Sequence, residues 1–128
     1  MIFDSDVLIW LSRGNSDAIA WVDSTPDRSL SVVTLMEILQ GMRSKTEMKK
    51  TQQSLRNLGF RVLPLSESIG HLAAGLIEEY TLAHGLQMPD ALIAATAIEA
   101  REVLATANLR PFRPIQRLAL KPFHPRRA

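Results

Sequence analysis

Three acidic residues of this 128-residue chain stand beside apolar runs that are typical of buried strands and helices. Asp4 directly follows an apolar pair, Glu37 comes shortly after a second β-rich run, and Asp90 opens an apolar helical stretch. In an open α/β sheet, ligands bind beyond the carboxyl ends of the strands, so this topology can gather acids that are remote in sequence. Carboxylates that lie close together raise one another's pKa values unless a cation lies among them.

A hard divalent cation would relieve that repulsion. Mg²⁺ or Mn²⁺ prefers oxygen ligands and keeps part of its water shell. Such an ion orients a phosphodiester, activates a water molecule and stabilises charge on the leaving oxygen. We therefore take Asp4, Glu37 and Asp90 as the candidate catalytic and metal-ligating residues.

Each of these acids also has a simpler structural explanation. Asp4 or Asp6 can cap the helix that follows the first strand. Glu37 can complete a capping box that begins at Thr34, and taken alone this is the better explanation for it. Asp90 can complement the helix dipole from the first turn. For Asp4 we favour a functional role, because a charged residue that ends a buried strand needs a reason; for Asp6 both explanations stay open.

Apolar periodicity predicts that strands and helices alternate along the chain. We expect four strands and consider a fifth, in the order 2–4, 30–33, 61–63, 102–105 and 117–121. Between them we expect helices that begin near Asn15 and Thr34 and others at 44–58, 69–84 and 90–100. Gly59 closes the helix at 44–58, and His84-Gly85 ends the next one. Such alternation produces right-handed βαβ crossovers. The fold class is therefore α/β, with a mostly parallel sheet of four to five strands in a three-layer α/β/α sandwich.

The composition is that of an ordinary globular domain. The chain has the usual length of one domain, so we expect a single domain over residues 1–128. Cysteine is absent, which excludes disulfides and thiolate metal sites. The sequence shows no secretory signal pattern and no apolar run near the roughly 20 residues that cross a bilayer. We therefore expect a cytoplasmic protein that neither spans nor binds a membrane.

The charge is unevenly distributed along the chain. The last 26 residues carry six Lys or Arg and no acid, whereas the first 102 carry nine basic and 13 acidic residues. A basic tail beside an acidic body is the pattern of a protein that holds a polyanion near a metal site. On charge alone, a solvated basic terminus without a specific role explains the pattern equally well.

Four segments together resemble the motifs of PIN domains. Residues 2–9 resemble the opening motif, which is an apolar strand, Asp4, a small hydroxyl residue, a polar residue and an aliphatic run. Residues 31–41, 89–97 and 104–112 resemble the second, third and fourth motifs, with Glu37 and Asp90 as the acids of the second and third. Each motif alone is weak, but their order and intervals resemble the VapC-type toxins of toxin–antitoxin pairs.

The resemblance implies an endoribonuclease that depends on Mg²⁺ or Mn²⁺. It implies three partners: an RNA substrate, a VapB-type antitoxin and a second copy of the chain in a homodimer. It makes Asp4 and Asp90 the principal metal-site acids and Glu37 the third acid, which helps to position the attacking water. Auxiliary groups near the metal or the substrate would be Asp6, Thr106 and Asn108, and contacts to the RNA backbone would come from Arg110 and Arg113.

The fourth motif departs from the family pattern. Many members carry a fourth acid there, whereas this chain has Asn108 and Pro111, and nothing after Glu102 is acidic. Asn108 can still offer a neutral oxygen, and Thr106 can orient it. We therefore expect at most one well-bound ion in the free protein.

Two other functions compete with this interpretation. Asp4-Ser5-Asp6 after a strand is also similar to the start of haloacid-dehalogenase-type phosphatases, but the late paired acid is missing and the only late lysine is Lys121. A catalytically degenerate PIN-like module that binds RNA or protein is the stronger alternative, because the fourth acid is missing. The three retained acids argue against it, and Mn²⁺ affinity would distinguish the two.

Overall fold

Five short parallel strands form one sheet at the centre of the protein, in the order β3-β2-β1-β4-β5. The strands are β1 Ile2–Phe3, β2 Arg28–Ser31, β3 Phe60–Leu63, β4 Leu104–Thr106 and β5 Leu120–Pro122. The computed structural model describes residues 1–126. Arg127, which belongs to the predicted basic tail, lies outside the described residues together with Ala128.

Helices cover both faces of this sheet. They are α1 Ser5–Ser12, α2 Ser16–Asp23, α3 Val32–Gln40, α4 Lys45–Asn57, α5 Glu67–His84 and α6 Met88–Ala100. Successive residues of a strand point to opposite faces, and β1 shows this directly. Ile2 packs into a core with α5 and α6, whereas Phe3 packs into a second core with α1, α2 and α4. The predicted α/β/α sandwich with a parallel sheet is confirmed.

Helix α6 is the most deeply buried helix of the described chain. Six of its residues are buried, and its closest partner is α5. The apolar helical stretch that the sequence shows after Asp90 is therefore a buried helix of the core. Across residues 1–126, no helix is both long and apolar enough to pass through a membrane.

Local turn chemistry sets most helix ends where the sequence predicts them. The Asn15 side chain accepts a hydrogen bond from the Ala18 amide at 3.0 Å and so caps α2. Gly59, after α4, and Gly85, after α5, have φ values of +77° and +69°. Backbone of this left-handed form is strained for other residues, which explains why both helices stop at glycine.

The start of α3 differs from the prediction and changes the interpretation of Glu37. Strand β2 ends at Ser31 rather than at Val33, and the Ser31 hydroxyl accepts from the Val33 amide at 3.0 Å. Ser31 is therefore the N-cap, and the predicted capping box between Thr34 and Glu37 is wrong. The physical reason is that the β-branched pair after Ser31 packs as the first helical turn, despite its strand propensity.

The last strand is also displaced from its predicted position. The sequence offers a fifth strand at 117–121, whereas the structure has it at Leu120–Pro122, because Leu104 of β4 pairs with Leu120. Leu118 is buried in the turn that leads into β5, and its amide donates to the Ile115 carbonyl at 3.2 Å. The apolar residues of this segment therefore pack as a loop before the strand begins.

Candidate active site

The site lies where the chain order of the sheet reverses. From β1 the chain builds β2 and β3 on one side, and β4 and β5 are added on the other side of β1. Loops that leave the carboxyl ends of β1 and β4 therefore diverge and open a crevice between them. Ile2 pairs with Leu104 and Phe3 with Ala105, so Asp4 and Thr106 are the next residues in register.

Asp4 and Thr106 are joined by a hydrogen bond across this crevice. The Thr106 hydroxyl donates to Asp4 Oδ2 at 2.9 Å and also lies 3.3 Å from Asp6 Oδ2. Since a hydroxyl has a single proton, it donates to one of the two carboxylates at a time. The other Asp4 oxygen accepts from the Ser5 amide at 2.8 Å, so Asp4 also caps α1. The Asp4 side chain therefore caps α1 and, with its other oxygen, binds Thr106 across the crevice.

Asp6 holds the turn that follows β4. Its Oδ2 accepts from the backbone amides of Ala107 at 3.0 Å and Asn108 at 2.9 Å. The Asn108 amide also lies 3.0 Å from the Thr106 hydroxyl oxygen, which it can use as an acceptor. These contacts explain Asp6 as a clamp on the turn at residues 106–108. Sequence reasoning missed them because the partners lie about a hundred residues away.

Burial raises the pKa of Asp4 to about 6, from an ordinary value of 3.8. The residue is only 6% exposed. The nearby charge of Asp6 raises its pKa further and that of Glu37 adds a smaller contribution, while the hydrogen bonds from Ser5 and Thr106 oppose both effects. Two hydrogen bonds are thus not enough to offset the loss of hydration of this carboxylate.

Glu37 and Asp90 reach the same site from two other elements. Loss of hydration, followed by the charges of Asp90 and Asp6, raises the pKa of Glu37 although the residue is open to solvent. Partial burial raises the pKa of Asp90, which lies in the first turn of α6. Because Asp4 in turn responds to the charge of Glu37, the structure brings the three predicted acids into one electrostatic neighbourhood.

The donor set suits a hydrated divalent ion better than an all-protein cage. Within residues 1–126, no three Asp, Glu or His side chains form a ready cluster for one ion. Mg²⁺ and Mn²⁺ need no such cluster, since they bind proteins through one or two carboxylates and keep several waters. Burial raises the pKa values of these carboxylates, and the charges of neighbouring acids add to this at Asp4 and Glu37; a cation would relieve both effects.

The basic C-terminal segment does not form one surface. Arg110 and Arg113 are exposed and lie in the turns that follow β4, a few residues after Asn108. Arg126 instead pairs with Asp17 of α2 at 2.8 Å, and Lys121 lies 5.3 Å from the ring centre of Trp21. Arg110 and Arg113 are thus the two arginines that lie nearest in sequence to Asn108, and their predicted contact with the RNA backbone stays a prediction.

The side chain of Thr34, which the sequence indicates only as a possible helix cap, is a buried polar group in the first turn of α3. Thr34 is fully buried, and its hydroxyl has no hydrogen-bond partner among the described residues. Ser31 already caps α3, so Thr34 is not needed for that purpose. The sequence signal that could have identified it is its position three residues before Glu37, on the same helix face.

Comparison with known proteins identifies one family. The model of the PIN domain family matches residues 1–118, which include all four motifs. No curated protein sequence matches this chain at a significant level.

Solved structures with a similar fold come from toxin–antitoxin complexes. A chain of a toxin–antitoxin complex from Klebsiella pneumoniae is 29% identical, with a TM-score of 0.76, over 92% of this chain and 94% of that one. FitAcB from Neisseria gonorrhoeae gives 26% identity and a TM-score of 0.72, over 93% and 94%. VapBC2 from Rickettsia felis, bound to a DNA fragment from its promoter, gives a TM-score of 0.79 over 97% and 100%. At 18% identity, this last likeness shows the fold alone.

Replacement of Asp4 by Asn should stabilise the metal-free protein at neutral pH. The folded-state pKa of Asp4 is raised, so the folded state binds a proton more tightly than the unfolded state, and stability is lost as pH rises from about 4 through 6. Each pKa unit corresponds to about 1.4 kcal/mol, which makes the expected gain for Asp4→Asn at pH 7 at most about 3 kcal/mol. Urea unfolding in EDTA at pH 7 and pH 4 measures it.

The gain should shrink towards zero at pH 4, where the wild-type carboxyl is largely protonated. Asn keeps the cap on α1, and the Thr106 hydroxyl can turn to donate to Asp6 instead. Asp27→Asn, at an exposed acid before β2, is the control and should change stability by less than about 0.5 kcal/mol. An Asp4→Asn variant that is no more stable than wild type at pH 7 would contradict this account of the site.

Loss of the Asp6 carboxylate should free the turn at residues 106–108. In Asp6→Ala the amides of Ala107 and Asn108 lose a charged acceptor, and their hydrogen exchange should accelerate about tenfold or more. Asp6→Asn keeps one oxygen acceptor and should show a much smaller acceleration. Hydrogen exchange followed by NMR resolves both amides, and equal rates in wild type and Asp6→Ala would show that Asp6 does not hold the turn.

Proposed function

This chain belongs to the PIN domain family, and we propose that it is a metal-dependent endoribonuclease, the toxin of a VapBC-like toxin–antitoxin pair. The proposal depends above all on one observation: the Asp4 carboxylate is buried at the reversal point of the sheet and is joined to Thr106 of β4 by a hydrogen bond. Ligands of open α/β sheets bind at this point. Carboxylates with raised pKa values in a crevice are typical of functional sites.

We propose that Asp4 and Asp90 hold one Mg²⁺ or Mn²⁺, directly or through waters, with Glu37 as the third acid. When bound, a divalent ion neutralises the carboxylates and lowers the pKa of a coordinated water. Asp4 is kept in place by the Ser5 amide and the Thr106 hydroxyl, so its free lone pairs face a fixed direction. Asp6 accepts a hydrogen bond from the Asn108 amide and so fixes the turn that carries Asn108 beside Thr106.

Glu37 is suited to accept a proton from the attacking water. It is a carboxylate and the most accessible of the three acids, so a water molecule can reach it from solvent. In the hydrolysis, the water oxygen bonds to phosphorus and the bond from phosphorus to the leaving oxygen breaks. The leaving oxygen takes up a proton, so that one RNA end carries a phosphate and the other a hydroxyl. Thr106 and Asn108 orient the substrate or the groups around it.

We propose that Arg110 and Arg113 hold the RNA backbone by charge. Both are exposed and follow Asn108 within a few residues, whereas Arg126 is already paired with Asp17. The planar guanidinium group of arginine matches the geometry of a phosphate and can donate two hydrogen bonds to it. Contacts of this kind give affinity without sequence preference.

The partners follow from the same proposal. The similar chain from Klebsiella pneumoniae was solved in a toxin–antitoxin complex, which supports a VapB-type antitoxin as the protein partner. A homodimer and a cytoplasmic location, where RNA substrates are available, complete the proposal, as does a single domain over the whole chain. The second candidate is a PIN-like module that binds RNA or protein without cleavage. It is favoured by one observation: the exposed position of the missing fourth acid is occupied by Asn108.

Antitoxin-free protein should cleave structured RNA with Mn²⁺ and lose this activity in EDTA. Asp90→Asn should lower the rate by at least about a hundredfold, because it removes one of the two principal metal-site charges. Glu99→Gln is the matched control, since Glu99 is an exposed acid on the same helix and should keep full activity. Cleavage of a labelled RNA, followed on gels, compares the wild type with both variants.

Two results would contradict the proposal. Cleavage that persists in EDTA and in Asp90→Asn would show that this site is not responsible. A folded wild-type protein that neither cleaves RNA nor binds Mn²⁺ would favour the binding module.

The double variant Arg110→Ala/Arg113→Ala should bind single-stranded RNA more weakly and with less salt dependence. Each lost phosphate contact reduces the slope of log K against log salt by roughly 0.7, so the expected reduction is about 1.4. Binding is measured in the Asp90→Asn background, which prevents cleavage. Lys45→Ala/Lys49→Ala on α4 changes the net charge equally and should leave the slope nearly unchanged. Equal slopes in the two double variants would exclude a specific role for the arginines.

A further inference from the structure

Thr34 carries a fully buried hydroxyl that the protein leaves without a hydrogen bond. Its Oγ1 has no partner among the described residues, and the residue is 0% exposed. The other buried threonines are satisfied: Thr96 donates to the Leu92 carbonyl at 2.7 Å, and Thr25 donates to the Trp21 carbonyl at 2.8 Å. A buried hydroxyl without a partner destabilises the fold, so this one calls for an explanation.

The first turn of α3 explains why the usual partner is out of reach. A helical threonine commonly donates to the carbonyl four residues earlier, as Thr96 does. For Thr34 that residue is Leu30, which belongs to strand β2 and not to the helix. The cap position is occupied by Ser31, whose hydroxyl accepts from the Val33 amide. The Thr34 hydroxyl is therefore free of both local roles.

The packing of α3 points Thr34 towards the site. Val33 packs into the core beside α6, whereas Leu35 and Ile38 pack against the core beside α1 and α4. Successive helical residues are about 100° apart, so Thr34 and Glu37 both lie in the arc between these two directions. These two cores lie on opposite faces of the sheet, and α3 contacts both α6 and α1, the helix that Asp4 caps at the end of β1.

Thr34 also lies one turn deeper than Glu37. It is in the first turn of α3, next to the end of β2, and β2 is the hydrogen-bonded neighbour of β1. Glu37, one turn later on the same face, is exposed, yet its pKa responds to Asp90. Thr34 is therefore placed at the floor of the crevice whose rim carries Glu37.

We propose that Thr34 is a positioning residue of the site, and that its buried hydroxyl hydrogen-bonds to a water in the shell of the bound divalent ion. This inference rests on the proposed function. A hydrated ion suits such a hydroxyl, because its waters present both protons and an oxygen to groups that do not touch the metal. The stability lost by leaving the hydroxyl unpaired in the free protein is then recovered when the ion binds.

The test compares Mn²⁺ affinity and thermal stability in Thr34→Val, which replaces the hydroxyl by a methyl of similar size. Mn²⁺ binding, measured by calorimetry or EPR, should weaken by about tenfold or more, as is usual when a partner in the outer shell of a metal site is removed. The melting temperature in EDTA should rise by about 2–6 °C, because an unpaired buried hydroxyl has been removed. Activity should fall while the folded fraction does not.

Two controls separate the hydroxyl from packing. Thr34→Ser and Thr34→Ala both lack the methyl and differ only in the hydroxyl, so Ser should keep Mn²⁺ affinity and Ala should lose it. This pair decides the question even if the valine variant does not fold. Thr96→Val removes a buried hydroxyl that has a partner, and it should lower stability without changing Mn²⁺ affinity.

The outcomes distinguish this inference from the proposed function. A wild type that binds Mn²⁺, with Thr34→Val or Thr34→Ala within twofold of it, would overturn the role of Thr34 alone and indicate an ordinary buried hydroxyl. A folded wild type without any Mn²⁺ binding would overturn the proposed function and this inference with it. Weaker binding in Thr34→Val and Thr34→Ala, restored in Thr34→Ser, supports both.

Discussion

The buried carboxyl of Asp4 is the constraint on which the rest of the site depends. It ends the central strand β1, is almost inaccessible to water and has two hydrogen bonds, from Ser5 and from Thr106. These two hydrogen bonds stabilise the ionised carboxylate less than water would, so burial raises the pKa of Asp4 to about 6. A fold that keeps such a group ionised at neutral pH loses stability by doing so, which is common where a site is built for a ligand.

The sheet and its helices explain why the other groups meet Asp4. Alternation along β1 sends Ile2 towards α6, and the parallel register of β4 makes Thr106 the partner of Asp4. Helix α6 covers the same face and carries Asp90 in its first turn, where partial burial raises the pKa of the carboxyl although the helix dipole acts in the opposite direction. Helix α3 bridges the two cores and places Glu37 at the rim. The packing of the strands and helices, and not hydrogen bonds between the acids, therefore places the three carboxyl groups.

Much of this arrangement can be predicted from local sequence. The order of strands and helices follows from apolar periodicity, and the helix ends at Asn15, Gly59 and Gly85 follow from turn chemistry. The three acids were identified because each stands at the end of a strand or helix. These signals are local, and the tertiary structure leaves them unchanged.

The remaining features depend on contacts that local sequence does not encode. Two valines between Ser31 and Thr34 favour a strand, yet tertiary packing draws them into the first turn of α3 and leaves Thr34 without a partner. The clamp from Asp6 to the turn at residues 106–108 joins segments about a hundred residues apart. Arg126 pairs with Asp17 of α2 and is thereby separated from Arg110 and Arg113. This contact depends on where β5 ends and on the position of α2 beside it.

The most direct test is an anomalous diffraction measurement on crystals of the antitoxin-free protein grown with Mn²⁺. The account predicts one Mn²⁺ peak in the crevice between the carboxyl ends of β1 and β4, within reach of Asp4 and Asp90, with part of its shell made of water. An absent peak at millimolar Mn²⁺, or a peak only elsewhere on the molecule, would contradict the claim that these carboxylates form a metal site.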